Sequence, residues 1–138
     1  MADEIIAALQ AAELFRDLPP KQLKRIRDAG KEMSFDAGSE VVVEGDNAGR
    51  FFLILEGTAE VVAHGVHRAE LGPGDSLGEI ALLDGGTRTA TVKAIDHLRT
   101  FSLASWNFRT FLSEPEIMSA VIDVLCRRLR NAEASALQ

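Results

Sequence analysis

The chain has 138 residues, which suits one domain spanning 1–138 and leaves no room for a second of ordinary size. Its 15 Lys and Arg against 21 Asp and Glu give a formal net charge of −6, which excludes a generally basic surface for nucleic acid or anionic membranes. The single cysteine excludes an intramolecular disulfide, and no apolar run approaches the about 20 residues that span a bilayer. The start also lacks the positive segment of a signal peptide. The single cysteine favours a reducing compartment, so we expect a cytoplasmic protein.

Residues 1–30 have the pattern of a helical lead-in. Apolar residues at helical spacing, such as Ile5 and Leu9, predict a helix over 3–16. Pro19 and Pro20 then end that helix and open a second one, because proline suits a first helical turn. Gly30 follows the second helix, at the position where glycine commonly ends one.

From Lys31 the pattern changes to short runs rich in Val, Ile, Phe and Thr, separated by turns that contain glycine. Turns recur about every ten residues, which is typical of an antiparallel sandwich or jelly roll. The β-rich region covers 31–103. Strands are predicted near 32–35, 40–44, 50–56, 58–63, 66–71, 89–95 and 97–103.

The region 105–135 returns to helix. Ser105–Leu112 predicts a short helix whose Trp106, Phe108 and Phe111 pack inward, and Ser113 to Glu116 has the form of a capping box for the next one. A stripe at helical spacing then predicts the buried face of that helix: Met118, Val121, Ile122, Leu125 and Leu129. The fold class is therefore α+β, an antiparallel β-roll or jelly roll flanked by N-terminal and C-terminal helices.

The segment 78–92 departs from the pattern of strands and turns that surrounds it. Its sequence is GEIALLDGGTRTATV. A helix of about one turn, predicted at 79–83, precedes a glycine-rich turn and a strand that begins near Arg88. The start of a helix exposes unpaired N–H groups and attracts anions, and a guanidinium adds a fork of donors. Glu79 can accept a hydrogen bond from a neutral hydroxyl, so a phosphate attached to a sugar fits the segment. On physical grounds alone, a surface ion pair of Glu79 and Arg88 stays open as an alternative.

This fifteen-residue run resembles the phosphate-binding cassette of cyclic-nucleotide-binding domains, which occur in cyclic-nucleotide-dependent kinases, catabolite-activator-type regulators and gated channels. The leading helices, the β-roll and the trailing helices also resemble the whole domain of that family. The resemblance implies that Glu79 binds the ribose 2′-hydroxyl and that Arg88 pairs with the cyclic phosphate. It further implies that backbone amides of Ala81 and Thr89 bind the phosphate and that Gly78 and Ala90 permit close approach. Ile80 completes the predicted ligand-binding residues and mainly packs locally.

We expect cyclic AMP as the ligand, with cyclic GMP as the alternative. The resemblance does not decide between them at Thr89, because a hydroxyl at this position occurs in binders of both. In the family a side chain of the last helix often covers the base. The sequence does not choose among the candidates in that region: Leu125, Arg127, Arg128, Leu129 and Arg130.

No catalytic or metal-binding pattern accompanies the cassette. His64 and His67 flank a predicted hairpin turn and do not form the His-x-His pair of a cupin metal site, so exposed histidines are expected there and at His97. For Cys126 the sequence indicates no general base that would activate the thiol, so we expect it to be unreactive. We therefore expect no enzyme activity, no metal and no cofactor besides the nucleotide ligand.

Three functional hypotheses follow. The first is a regulatory sensor that acts on a separate protein effector after its C-terminal helices move. The second is the regulatory part of a larger effector protein, and the third is a degenerate assembly domain that no longer binds nucleotide. A homodimer through the terminal helices is a further expectation. No helix-turn-helix follows the last helix, so no nucleic-acid partner is expected.

Overall fold

The computed structural model describes residues 2–47, 49–77 and 86–137. Its four helices and eight strands, numbered in chain order within these ranges, are α1 Ala2–Ala11, α2 Pro20–Ala29, β1 Lys31–Phe35, β2 Glu40–Val42, β3 Arg50–Glu56, β4 Ala59–Ala63, β5 Val66–Leu71, β6 Ser76–Leu77, β7 Thr91–Ala94, β8 Leu98–Ala104, α3 Ser105–Leu112 and α4 Pro115–Leu137. The predicted short helix at 79–83 lies outside the described residues.

The strands form two antiparallel four-stranded sheets, ordered β1-β8-β3-β6 and β2-β7-β4-β5. The predicted antiparallel β-roll between helices is confirmed. The first sheet is covered on one face by the helices and on the other by the second sheet. Its central strand β3 is therefore buried on both faces, which explains the unbroken apolar run Phe51–Leu55.

Two hydrophobic clusters follow from this layering. The larger one, which we call the helix-side core, joins all four helices to Phe51, Leu53, Phe101 and Leu103 of the first sheet. The smaller one, the roll interior, lies between the sheets and contains Phe52, Ile54, Ala59, Leu77, Val92, Ala94 and Leu98. Adjacent residues of β3 thus belong to different clusters, because successive side chains of a strand point to opposite faces.

The N-terminal helix is shorter than the predicted 3–16. Beyond Ala11 the chain forms successive turns, in which the Phe15 N–H donates to the Ala12 carbonyl and the Leu18 N–H to the Phe15 carbonyl. These turns bury both Leu14 and Phe15, neighbours that a helix would place about 100° apart. Tertiary burial of both side chains therefore replaces the end of the predicted helix.

The predicted strands are found within one or two residues, with two differences. The strand predicted at 40–44 ends at Val42, because the chain turns at Val43, where the Asp46 N–H donates to the Val43 carbonyl. The two-residue strand Ser76–Leu77 was not predicted, and it pairs with β3 through Phe52 and Leu53. A strand this short carries no readable alternation.

The last helix differs from its prediction in register. Its buried residues are Ile117, Val121 and Val124, while Ile122 and Leu129 of the predicted stripe are exposed at 48% and 61%. Three of the candidates for covering the base, the arginines at 127, 128 and 130, lie within this helix, which continues to Leu137. Trp106 of α3 is also exposed, whereas Phe108 and Phe111 pack inward as predicted.

The junction before α4 does not follow the predicted capping box. The Ser113 hydroxyl donates to the Thr110 carbonyl at the end of α3, and α4 begins two residues later at Pro115. The carboxylate of Glu114 accepts two hydrogen bonds from Arg25 of α2, at 2.7 and 2.8 Å. The Arg25 guanidinium also lies 5.4 Å from the centre of the Phe111 ring, so one side chain joins α2, α3 and α4.

A second set of ion pairs attaches α1 to the first sheet. Arg99 of β8 donates to Glu4 of α1 and to Glu56 and Glu32 of the neighbouring strands, at 2.9–3.2 Å. The hydrogen bond to Glu4, and then that to Glu56, raises the pKa of Arg99, and the same contact lowers the pKa of Glu4. In the described ranges no helix is long and apolar enough to cross a membrane.

Candidate functional site

Arg88 is the predicted site residue that the structure describes most completely. It precedes β7, and its side chain is buried, with only 6% of its surface exposed. A buried guanidinium is costly unless its donors are used. Its Nη2 donates to the main-chain carbonyl of Arg50 at the start of β3.

The main chain of Arg88 is held as firmly as its side chain. Its N–H donates to the Asp46 carbonyl at 2.8 Å, and its carbonyl accepts from the Gly45 N–H at 2.9 Å. Asn47 pairs with Thr87 in an isolated antiparallel bridge beside them. The loop between β2 and β3 therefore fixes the position from which the Arg88 side chain extends.

Gly45 makes this loop possible because its φ of 88° lies in the left-handed region, which side chains disfavour. The next layer of support comes from Glu44, whose N–H donates to the Thr91 hydroxyl at 2.9 Å. The Glu44 carboxylate accepts from the N–H of His64 at 2.9 Å. This links the hairpin between β4 and β5 to the same loop.

The other predicted site residues are only partly described. Thr89 is exposed and Ala90 is half-buried, directly after Arg88. Gly78, Glu79, Ile80 and Ala81 lie outside the described residues, so their roles stay predictions. Val92, predicted to pack locally, is buried in the roll interior.

Residues of the β2–β3 loop were missed by the sequence reasoning. Gly45 and Asp46 were read only as a turn, although their main chain holds Arg88. Arg50 was not among the predicted site residues, although its carbonyl accepts a hydrogen bond from the Arg88 guanidinium. These contacts use main-chain atoms, which leave no signature in residue type apart from the glycine.

A cavity of about 390 Å³ opens beside Arg88, between β1, β2 and β3. Among the residues that the structure describes, Asp46, Asn47, Arg50 and Arg88 contribute its polar lining. Thr89 and Ala90, the next two residues of the described chain, do not line it. The cavity therefore adjoins Arg88 on the side of the β2–β3 loop.

The predicted alternatives can be compared with the same geometry. His64, His67 and His97 are exposed, and each lies near a single carboxylate: Glu44, Glu60 and Asp36 respectively. Within the described ranges, no group of three or more His, Cys, Asp or Glu side chains is placed to bind a metal ion. Cys126 is exposed on α4.

The family model of the cyclic nucleotide-binding domain matches residues 32–114. The chain belongs to this family. The matched range contains seven of the eight described strands, β1 from its second residue onward, the β2–β3 loop and Arg88. The predicted family resemblance and the β-roll fold are thereby confirmed.

Known proteins place this domain in a wider context. The chain is 28% identical over 93% of its length to a CRP-like cAMP-activated global transcriptional regulator of Mycobacterium tuberculosis. It is 32% identical over 91% of its length to a cyclic nucleotide-gated potassium channel of Mesorhizobium japonicum. It spans 58% of the first protein and 35% of the second.

A solved structure shows the same architecture at domain size. The N-terminal domain of a transcriptional regulator from Streptomyces coelicolor is 28% identical, with a TM-score of 0.77. The match covers 93% of each chain. The cyclic nucleotide-binding domain of this protein therefore has the arrangement of elements seen in the N-terminal domain of that regulator.

Proposed function

We propose that this chain is a sensor that binds a cyclic nucleotide, and that the nucleotide is cyclic AMP. The observation that carries the proposal is the buried Arg88, fixed by the β2–β3 loop, in a member of the cyclic nucleotide-binding domain family. The choice of cyclic AMP is supported by the cAMP-activated relative from Mycobacterium tuberculosis. Cyclic GMP is the alternative, because the Thr89 hydroxyl suits either base.

The chemistry required is recognition, with no bond made or broken. The Arg88 guanidinium pairs with the exocyclic oxygens of the cyclic phosphate, and this fork geometry favours arginine over lysine. The carboxylate of Glu79 accepts from the ribose 2′-hydroxyl. Amides of Ala81 and Thr89 donate to the phosphate, while Gly78, Ile80 and Ala90 shape the wall that lets the ligand approach the backbone.

Calorimetry with cyclic AMP and cyclic GMP tests this proposal. We expect Arg88→Ala to lose about 1.5–3 kcal/mol of binding free energy, or about one to two decades in affinity. Glu79→Ala should lose less, and its loss should shrink further with 2′-deoxy cyclic AMP, which lacks the hydroxyl. Absence of binding by the parent at millimolar nucleotide refutes the function. Unchanged affinity in Arg88→Ala refutes the assignment of the phosphate site.

The output of the sensor is proposed to be a shift of α3 and α4. Phe108 and Phe111 of α3 pack in the helix-side core, and the start of α4 is held by Arg25. A ligand shifts such an equilibrium only by its differential affinity for the two arrangements. Hydrogen exchange with and without cyclic AMP should therefore change in α3 and α4; identical exchange there would refute the relocation.

The exposed face of α4 supports self-association as the second part of the proposal. Ile122 and Leu129 are seven residues apart, so they lie on one face of the helix, and both are exposed. Pairing with the same helix of a second copy buries them both. Sedimentation should show a dimer that Leu129→Asp dissociates; a monomeric parent at high micromolar concentration refutes this part.

The relatives are regulatory proteins longer than this chain, so we place the domain in the same role: control of a protein effector, either separate or in the same polypeptide. A degenerate assembly domain is the competing hypothesis. The calorimetry described above decides between them, because only the sensor binds nucleotide.

A further inference from the structure

The loop between β2 and β3 can hold Arg88 in place only if the loop itself is fixed to the rest of the domain. Its two hydrogen bonds with the main chain of Arg88 are mutual, so each segment positions the other. A contact with a third segment is therefore needed. Near the start of the loop, the described part of the chain provides such a contact between Glu44 and the hairpin that joins β4 to β5.

This contact uses both oxygens of the Glu44 carboxylate. Its Oε1 accepts from the His64 N–H at 2.9 Å, and its Oε2 lies 3.1 Å from the His64 Nδ1. A carboxylate that accepts from a main-chain N–H makes a charge-assisted hydrogen bond, which is stronger than a bond between neutral groups. The carboxylate therefore binds the backbone of the hairpin itself, and not only an exposed imidazole ring.

The hairpin is a well-defined point of attachment. His64 and Gly65 both have positive φ, 51° and 75°, which suits the two-residue turns that match the twist of paired strands. Ala63 and Val66 pair on either side of this turn, and β4 pairs with β7 along its other edge. The turn is therefore ordered by the sheet, and it offers Glu44 a donor in a fixed position.

Glu44 is also adjacent to the groups that fix the main chain of Arg88. The next residue, Gly45, donates to the Arg88 carbonyl, and the carbonyl of Asp46 accepts from the Arg88 N–H. The N–H of Glu44 donates to the hydroxyl of Thr91, three residues beyond Arg88. Glu44 does not line the cavity beside Arg88, so its effect on a ligand passes through these contacts.

We propose that Glu44 is a positioning residue of the nucleotide site, whose carboxylate connects the β2–β3 loop to the β4–β5 hairpin and thereby fixes the main chain of Arg88. The inference rests on the proposed function for its effect on nucleotide affinity, and on the geometry alone for its effect on the loop. Donors that are ordered in advance reduce the entropy lost on binding. Removal of the Glu44 carboxylate therefore lowers the affinity for cyclic nucleotide.

Glu44→Ala in the full chain tests this, because alanine keeps the N–H that binds Thr91 and removes only the carboxylate. Calorimetry should show cyclic AMP binding about fivefold weaker than in the parent, as for the loss of one hydrogen bond of average strength. Glu44→Gln keeps an oxygen that can accept from the His64 N–H, so its affinity should stay within about twofold of the parent. The matched control is Glu60→Ala, which removes a carboxylate 2.7 Å from the Nδ1 of His67 in the same pair of strands.

Amide hydrogen exchange without nucleotide gives a measurement that a general loss of stability would not reproduce. In Glu44→Ala the N–H groups of Gly45 and Arg88 should exchange about fivefold faster, because the loop opens locally more often. The N–H groups of Phe51 and Leu103, in the helix-side core, should exchange at the rates of the parent. Glu60→Ala should leave all four rates unchanged, and thermal unfolding checks that each variant folds.

Equal affinities of Glu44→Ala and the parent for cyclic AMP overturn the proposal. So do equal losses of affinity in Glu44→Ala and Glu60→Ala, or in Glu44→Ala and Glu44→Gln. Exchange at Gly45 and Arg88 that stays unchanged, or that rises together with exchange in the helix-side core, also overturns it. Failure of the proposed function is distinguishable, because the parent then binds no nucleotide while exchange at Gly45 and Arg88 still rises in Glu44→Ala.

Discussion

Phe51 and Phe52 are consecutive residues of β3 that face two differently built regions. Phe51 is fully buried in the helix-side core. Its ring stacks on that of Phe108, with 5.1 Å between the ring centroids, and packs edge-to-face with that of Phe15, with 5.6 Å between the centroids. Phe52 belongs to the smaller roll interior, meets Phe35 at 5.9 Å and lines the cavity. One region is closed by helices, while the other keeps space next to the arginine of the candidate site.

The difference suggests how the domain divides stability from binding. The helix-side core contains the larger number of buried side chains, including most of those from the four helices. The roll interior contributes fewer, and its edge is formed by a loop and a cavity. A binding site needs accessible volume and fixed polar groups, which close packing would remove.

The largest expected effect compares the two phenylalanines directly. Phe51→Ala should destabilise the protein by about 3–5 kcal/mol, because the closely packed side chains around Phe51 cannot move in to fill the cavity that the substitution leaves. Phe52→Ala should cost clearly less, because one side of its ring already faces open space. Urea denaturation monitored by circular dichroism measures both. Equal losses would contradict the division between the two regions.

Substitution of one glycine in each region tests the same comparison, with a smaller expected loss of stability. Gly30 ends α2 with an extended φ of −104°, and its α-carbon lies against β8. An added β-carbon would lie 2.5 Å from the Ser102 carbonyl oxygen and would also overlap the Phe101 ring. Gly30→Ala should therefore cost about 1–3 kcal/mol through overpacking.

Gly49 beside the cavity is the matched control for Gly30. Its added β-carbon would meet nothing within 4 Å, so Gly49→Ala should change stability by no more than about 0.5 kcal/mol. The same denaturation experiment applies to both. A Gly49→Ala loss as large as that of Gly30→Ala would mean that the loop is as tightly packed as the helix-side core.

The contrast also explains which features the sequence could predict. Regular alternation and turn glycines predict the strands, and α3 was predicted with its observed bounds. The register of α4 was not predictable, because Ile117, Val121 and Ile122 offer two overlapping apolar faces, and only contact with the rest of the core selects between them. The turns after Ala11 have the same origin, since helical propensity there is overridden by burial of Leu14 and Phe15.

The candidate site was predictable to a different degree. The cassette pattern identifies Arg88 through family resemblance, and its burial agrees with a specific role. The loop that positions Arg88 acts through carbonyl and N–H groups, which every residue carries, so residue types do not reveal it. The cavity is still less predictable, because it depends on the spacing of three strands that belong to two different sheets.

The smallest expected effect lies on the helix side, in the ion pair between Arg25 and Glu114. The hydrogen bond from Arg25 lowers the pKa of Glu114 below its ordinary value of 4.5. A carboxyl with a lowered folded-state pKa stabilises the protein above its unfolded pKa, and that contribution disappears as pH falls through the folded-state pKa. The parent should therefore melt slightly above Glu114→Gln at neutral pH, with a difference that shrinks below pH 4.5.

Thermal unfolding between pH 7 and pH 3 measures this difference, and Arg25→Gln provides the control. In that background, substitution of Glu114 should no longer produce the acid-dependent change, because the group that lowers its pKa is absent. A difference that persists unchanged at pH 3 would show that Glu114 acts through packing and not through its charge. The contact between α2 and the start of α4 would then depend on apolar packing, and the helix-side core would differ still more from the cavity beside Arg88, which has a polar lining.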